Sequence, residues 1–284
     1  VPMPVGKGQP RGTQLNFDPV LTERVVRFLD PQMHAYFRSE VRGVDHFPAT
    51  QTLVVANHDG GMLPLDGIAI GSAWHHHFGF QRPLAVLVHD MVMRFAGWIN
   101  RLGGVLADRP NMEALLDAGH SVMVYPGGSR ETFRPYWERK QVTLGHRTGF
   151  IRQALRRRLL VTPVVSVGMH ETFFVLWRGG WLADRLGITR HLRADVFPIV
   201  AGLPFGIWLG VTFPQLPLPA KLTVEVLPPI DVFHEAERLL GRPLQDRDIE
   251  DDPEIAHSAF HLVRDRMQHA PDRLYAERRF PILG

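Results

Sequence analysis

Short apolar runs, each closed by a turn and followed by helical spacing, recur through the middle of this 284-residue chain. Residues 52–56 (TLVVA) are followed by a glycine turn and a helix expected to begin near Pro64, a favoured first helical position. Residues 84–88 (LAVLV) precede a helix expected from about Asp90 to Asn100, and 104–107 lead into a helix over 110–118 that Gly119 stops. SVMVY (121–125) follows at once. The spacing then predicts a helix over 148–158 that places Phe150, Ile151, Ala154 and Leu155 on one face and feeds the strand LVTPVVSV at 160–167. A late alternating strand at 221–227 and a long helix within 253–279 complete the pattern. Strands that alternate with helices predict an α/β fold, a mostly parallel central sheet flanked by helices on both faces.

Ahead of this region, Val20, Leu21, Val25, Phe28 and Leu29, then Met33, Tyr36 and Phe37, recur at helical spacing, and Pro31 is expected to split the run into two short helices. The layout is therefore a flexible tail (1–16), an N-terminal helical pair (17–42) and one α/β domain (43–284). Arg24, Arg27 and Arg38 suit the pair to an anionic membrane surface, although an ordinary helix pair packed on the core is the simpler account. The uncharged stretch 196–220 is long enough to cross a bilayer, but Pro198, Pro204, Pro214, Pro217 and Pro219 with three glycines argue against a spanning helix. It reads as a folded hairpin at an interface or as a buried segment under the sheet edge. The first residues lack the apolar centre of a signal peptide, so the expectation is a cytoplasmic protein on the inner face of the membrane, peripheral or monotopic.

Composition narrows the chemistry. The absence of cysteine excludes disulfides, thiolate metal sites and a cysteine nucleophile. A hydrophobic share of 45% with 21% charged residues excludes disorder over most of the length. The net charge is only +3, which does not make a nucleic-acid binder, yet Lys7, Lys140 and Lys221 are the only lysines, so almost every cation is an arginine suited to phosphate or carboxylate.

Two loops carry the candidate chemistry. Asn57-His58-Asp59-Gly60-Gly61 follows the first buried strand directly, with Asp66 in the first turn of the next helix. Active sites gather at the carboxyl ends of parallel strands. A carboxylate on one nitrogen of His58 would leave the other free to take a proton from a hydroxyl. The second loop, Tyr125-Pro126-Gly127-Gly128-Ser129-Arg130-Glu131, also follows a strand; its backbone amides are candidates for an oxyanion and Arg130 for a charged substrate group. It is neither a nucleotide P-loop nor the serine elbow of the α/β-hydrolases.

Read in order, LVVANHDGG…PLDG, GGVLADRP, SVMVYPGGSRE and LVTPVVSVG resemble the four blocks of the glycerolipid acyltransferase superfamily, the PlsC-type lysophospholipid acyltransferases, nearest its diacylglycerol acyltransferase-like branch. The resemblance spans about residues 41–231. It implies that His58 is the general base and Asp66 its orienting carboxylate, and that Arg109, Gly127, Gly128, Ser129, Arg130 and Glu131 meet substrate. It further implies an acyl-CoA or acyl-carrier-protein donor, a lipid alcohol acceptor, and no metal or cofactor. Two departures stand out. The family's histidine and aspartate have four residues between them, whereas here there are seven, which makes Asp59 a rival partner; and Gly127 stands where the family has a glutamate, with Glu131 a possible substitute.

Alternative readings remain at this level: a lipid or thioester hydrolase using His58 with water or Ser129, or a non-catalytic lipid-binding membrane protein. His75, His76, His77, His89 and Asp90 invite a metal site, but three consecutive histidines cannot converge on one ion from a regular element. Arg147, Arg152, Arg156, Arg157 and Arg158 read as the wet face of a helix or as contacts for anionic headgroups or the phosphates of coenzyme A. His170-Glu171-Thr172-Phe173 lies at a strand end near the site, and Trp177, Trp181, Phe197, Phe205 and Trp208 are either core or an interfacial belt.

Overall fold

The computed structural model describes residues 15–60, 63–186, 196–210 and 215–280. Gly61, Pro214 and most of the expected N-terminal tail lie outside the described residues. Seven strands form the main sheet: β1 (Glu40–Arg42), β2 (Thr52–Ala56), β3 (Leu84–Val88), β4 (Gly104–Leu106), β5 (Ser121–Val124), β6 (Leu160–Val167) and β10 (Thr223–Val226). Their order is β1-β10-β6-β2-β5-β3-β4. From β6 to β4 every neighbouring pair is parallel, while β10 runs antiparallel to β6 and carries β1 parallel to itself at the edge.

Both faces of the sheet are covered, which is why its strands read as unbroken apolar runs. Side chains alternate along β2: Leu53 and Val55 enter one core, Val54 and Ala56 the other. The first core is closed by α4 (Arg109–Asp117), α6 (Gly149–Arg157), α8 (Val232–Leu240) and α10 (Pro253–Ala276). The second is closed by α1 (Pro19–Phe37) and α2 (Leu65–Phe78), with Trp74 fully buried against the sheet.

The expected helical pair is instead the single helix α1, with Pro31 inside it. Proline removes one hydrogen bond and costs about 3 kcal/mol in a helix interior, but the surrounding contacts outweigh that loss. Asp18 caps the start by accepting from the Leu21 amide at 2.9 Å, Met33 and Phe37 are buried, and Asp30 takes hydrogen bonds with Ser72 and His76 of α2, each at 2.7 Å. The helix expected over 90–100 also differs: α3 (Asp90–Phe95) ends where Ala96 leaves helical geometry, and a 3-10 turn, Gly97–Leu102, follows.

Within the uncharged stretch, residues 199–209 form a hairpin. β8 (Ile199–Gly202) and β9 (Gly206–Leu209) pair antiparallel, and β7 (Phe174–Trp177) completes a second sheet. α5 (Gly128–Thr132) follows β5, α7 (Gly180–Arg185) lies between β7 and β8, and α9 (Asp246–Asp251) precedes α10. The small sheet has its own core of Phe133, Phe173, Val175, Val196, Val200 and Trp208.

Candidate active site

The loops that leave β2 and β5, adjacent parallel strands in the centre of the sheet, meet at their carboxyl ends. Asn57 anchors the first loop. Its side-chain Oδ1 accepts from the Ser166 amide at 2.8 Å and its Nδ2 donates to the Ser166 carbonyl at 3.1 Å, so a buried amide continues the ladder to β6 where β2 ends. The next side chain, His58, is thereby turned toward the α2 end of the loop.

His58 Nδ1 stands 3.5 Å from Asp66 Oδ2. That is just beyond a formed hydrogen bond, and a small rotation of the ring closes it. Asp66 is 1% exposed and its other oxygen is fixed by the Gly67 amide at 2.8 Å, whereas the His58 side chain keeps 27% exposure. The carboxylate is thus inside and immobilised, and the imidazole reaches solvent. Tyr125 sets the ring plane: it stacks on His58 at 4.0 Å between centroids and 9° between planes. Its buried hydroxyl is held in the neutral form, its pKa pushed well up by burial, so Tyr125 presents an uncharged ring to the imidazole.

Asp59, the rival partner, points the other way. It is fully buried and accepts from the Met169 amide at 2.7 Å beyond the end of β6, with its carboxyl pKa raised by burial and by the nearby Glu171. Gly60 adopts φ +109, and a Cβ there would lie 2.5 Å from Nδ1 of His170. Only glycine lets the loop lie on that buried ring. Within the longer spacing between His58 and Asp66, Gly60 lies over the His170 side chain.

The second loop places its residues unequally. Gly128 has φ +53 and its amide donates to the Tyr125 carbonyl at 3.3 Å, closing the turn and turning one expected oxyanion donor inward. Gly127 and Ser129 flank it, half-buried, and Arg130 is exposed on α5. Arg109 is exposed at the start of α4 and paired with Glu113 at 2.8 Å.

Glu131, which the resemblance set among the residues that meet substrate, is turned inward. It is fully buried; Oε2 accepts from the His58 amide at 3.1 Å, Oε1 from the Thr143 amide at 2.9 Å, and Arg134, also fully buried, pairs with it at 3.1 Å. A side chain at Gly127 would collide with that carboxylate, which explains glycine at this position. The glutamate of this chain ties one loop to the other from beneath. Burial raises its pKa, against the pull of Arg134 and His58.

Below the loops lies a layer of buried charge. Glu171 is flanked by Arg278 at 3.4 Å and Arg139 at 3.5 Å. His170, completely enclosed, has its pKa driven well below the ordinary value by burial and then by Arg134 and Arg139, which keeps it neutral. The 170–173 segment thus supports the His58 loop instead of lining its open side. Sequence reading gave no role to Asn57, Tyr125 or Arg134. The first two sit inside the motifs beside the strands, a position that could have drawn attention to them; Arg134 carries no local signal. Among the described residues no cluster of three or more histidine or acidic side chains is placed to hold a metal ion.

Comparison with known proteins adds an independent line. A family model described as diacylglycerol acyltransferase matches residues 23–237. An uncharacterized protein of Mycobacterium leprae is 29% identical over 280 residues, covering 95% of this chain and 70% of its own. An uncharacterized protein of Mycobacterium tuberculosis is 28% identical over 276 residues, with 95% and 71% covered. A human protein named DGAT1/2-independent enzyme synthesizing storage lipids is 26% identical over 205 residues, covering 68% of this chain and 57% of its own. Among solved structures, the 1-acyl-sn-glycerophosphate acyltransferase PlsC of Thermotoga maritima matches with a TM-score of 0.43 and 14% identity, over 87% of this chain and 82% of that one.

Proposed function

The chain belongs to the diacylglycerol acyltransferase family, a family of lipid acyltransferases, and we propose that it moves a fatty acyl group from an acyl-CoA or acyl-carrier-protein thioester to a hydroxyl of a glycerolipid or other lipid alcohol, with His58 as general base. The observation that carries this reading is the partly exposed imidazole beside a buried carboxylate at 3.5 Å and stacked on the Tyr125 ring.

With Nδ1 facing Asp66, Nε2 is the nitrogen that takes the acceptor's proton. The hydroxyl oxygen attacks the thioester carbonyl, the C–S bond breaks, and the imidazolium returns the proton to the departing thiolate. Asp66 holds the tautomer and stabilises the imidazolium between the two transfers. Neither a protein nucleophile nor a metal or cofactor takes part. Arg109 and Arg130 remain candidates for charged substrate groups, and Gly127 and Ser129 for the oxyanion.

The lipid substrates call for a membrane surface, and the protein is proposed to work on the cytoplasmic face as a peripheral or monotopic protein. No helix among the described residues is long and apolar enough to cross a membrane. Support comes from the second sheet, where β9 buries Trp208 yet leaves Ile207 69% and Leu209 57% exposed, and where Trp181, Leu203 and Phe205 are also at least half exposed. Exposed apolar surface of this extent marks an interaction site. The segment leading out of this sheet meets α1: Tyr36 donates to the Pro217 carbonyl at 2.8 Å and Arg38 to that of Pro219 at 2.7 Å.

The test is to incubate purified protein with a panel of acyl-CoAs and total membrane lipid, then identify by mass spectrometry which lipid gains one acyl group. An acylated lipid alcohol is the expected result. Thioester consumption at one rate with and without lipid would instead make the protein a hydrolase.

A further inference from the structure

We propose that Tyr125, braced against Gly67, is a positioning residue that steadies the His58 ring and supports the imidazolium formed during acyl transfer, an inference that deepens the proposed reaction and rests on it. β2 and β5 pair in parallel with Val55 opposite Val124, so the chains that leave them start side by side, about 4.8 Å apart. Tyr125 is the first residue beyond β5 and His58 the second beyond β2. The tyrosine backbone is fixed by its own turn, in which its carbonyl accepts from the Gly128 amide at 3.3 Å.

Two contacts then hold the phenol ring. One face lies on the imidazole, 4.0 Å between centroids and 9° between planes. The far end, the buried hydroxyl, stands against the first turn of α2, where a Cβ added to Gly67 would lie 3.3 Å from the oxygen. Gly67 directly follows Asp66, and its amide holds Asp66 Oδ1 at 2.8 Å. One side chain thus touches the base with its face and, with its tip, the turn that carries the orienting carboxylate. The hydroxyl has no hydrogen-bond partner among the described residues, so its contribution here is shape: it fills the space that glycine leaves.

A parallel stack lets the imidazole turn in its own plane, the motion that closes the 3.5 Å between Nδ1 and Asp66 Oδ2, and resists tilting out of that plane. The aromatic face also acts on charge. A cation within about 6 Å of a ring centroid is attracted by the negative face, and in the proposed reaction His58 becomes a cation between the two proton transfers. Attraction that grows only in that state lowers the barrier and leaves substrate binding alone. The charged groups nearby act from other directions: Asp66 at the ring edge, Glu131 through the His58 amide with Arg134 paired to it, and Asp59 turned to the Met169 amide.

Steady-state kinetics of four variants of unchanged fold test this. Tyr125→Leu removes the face and should lower kcat about tenfold, equivalent to about 1.4 kcal/mol of barrier, with KM nearly unchanged. Tyr125→Phe, the conservative variant that keeps the face, should recover most of that loss. Gly67→Ala is otherwise favourable within a helix; here it crowds the hydroxyl and should lower kcat a few-fold, and Gly67→Ala/Tyr125→Phe, which makes room again, should restore it. Proton magnetic resonance gives a readout without turnover. The His58 ring protons, assigned by their loss in His58→Gln, should be shifted upfield by the stacked ring in wild type and Tyr125→Phe, and not in Tyr125→Leu. If Tyr125→Leu does not fold, Tyr125→Met is read in the same way.

A loss in Tyr125→Phe as large as in Tyr125→Leu overturns the proposal by giving the role to the hydroxyl, and a loss carried by KM alone overturns it by making Tyr125 a substrate contact. Wild-type protein that transfers no acyl group from any donor overturns the acyltransferase reading and this role together. Transfer by wild type with kcat kept in Tyr125→Leu overturns this role alone.

Discussion

At the scale of single residues, the arrangement around His58 separates two aspartates that the sequence leaves in competition. Asp66 faces the ring and Asp59 faces the Met169 amide. Replacing Asp66 by Asn should lower kcat on the order of 10²-fold or more, since general base catalysis contributes about 10² to 10⁴, whereas Asp59→Asn should keep turnover within a few-fold; steady-state rates of the two variants check this. His170 gives a pH prediction. Its folded pKa lies well below 6.5, so as pH falls through 6.5 the unfolded chain takes a proton that the native chain refuses, and stability is lost with a slope approaching about 1.4 kcal/mol per pH unit. Asp59, Glu131 and Glu171 have raised values and act in the opposite sense, taking protons first in the native state. The contribution of His170 is therefore read from the difference between wild type and His170→Gln. Between pH 7 and pH 5 the wild type should lose stability faster, and parallel denaturation curves at every pH would contradict the assignment.

At the scale of elements, the third-block turn and α5 are fixed from below by the Glu131–Arg134 pair. Breaking a buried ion pair by removing one partner costs about 3 to 5 kcal/mol, so Arg134→Met should lower stability by that order and loosen the His58 loop, whose amide depends on Glu131. Chemical denaturation measures the first effect and a fall in kcat the second. The strands were legible because strands buried on both faces leave continuous apolar runs, and β3 and β6 have the bounds those runs give. His58 and Asp66 were legible because both sit within one strand-turn-helix unit. The inward turn of Glu131 was not, because it depends on Thr143 and Arg134 and on the space left by Gly127. Nor was the continuity of α1 past Pro31, which relies on contacts from Asp30 to α2, more than forty residues later in the chain.

At the scale of the whole molecule, the proposed catalytic loops at the centre of the main sheet and the apolar hairpin have to serve the one proposed lipid reaction. The hairpin supplies a prediction of its own: Ile207→Ser with Leu209→Ser should weaken flotation with anionic liposomes several-fold while leaving the thermal midpoint nearly unchanged, because both side chains already face solvent. Undiminished flotation would remove the hairpin as the docking element. Acyl transfer by purified His58→Ala protein goes furthest toward deciding the rest. With the fold verified by an unchanged thermal midpoint, the transfer rate from acyl-CoA to the accepted lipid should fall by about 10² to 10⁴. A rate within threefold of wild type would mean that this imidazole is not the base.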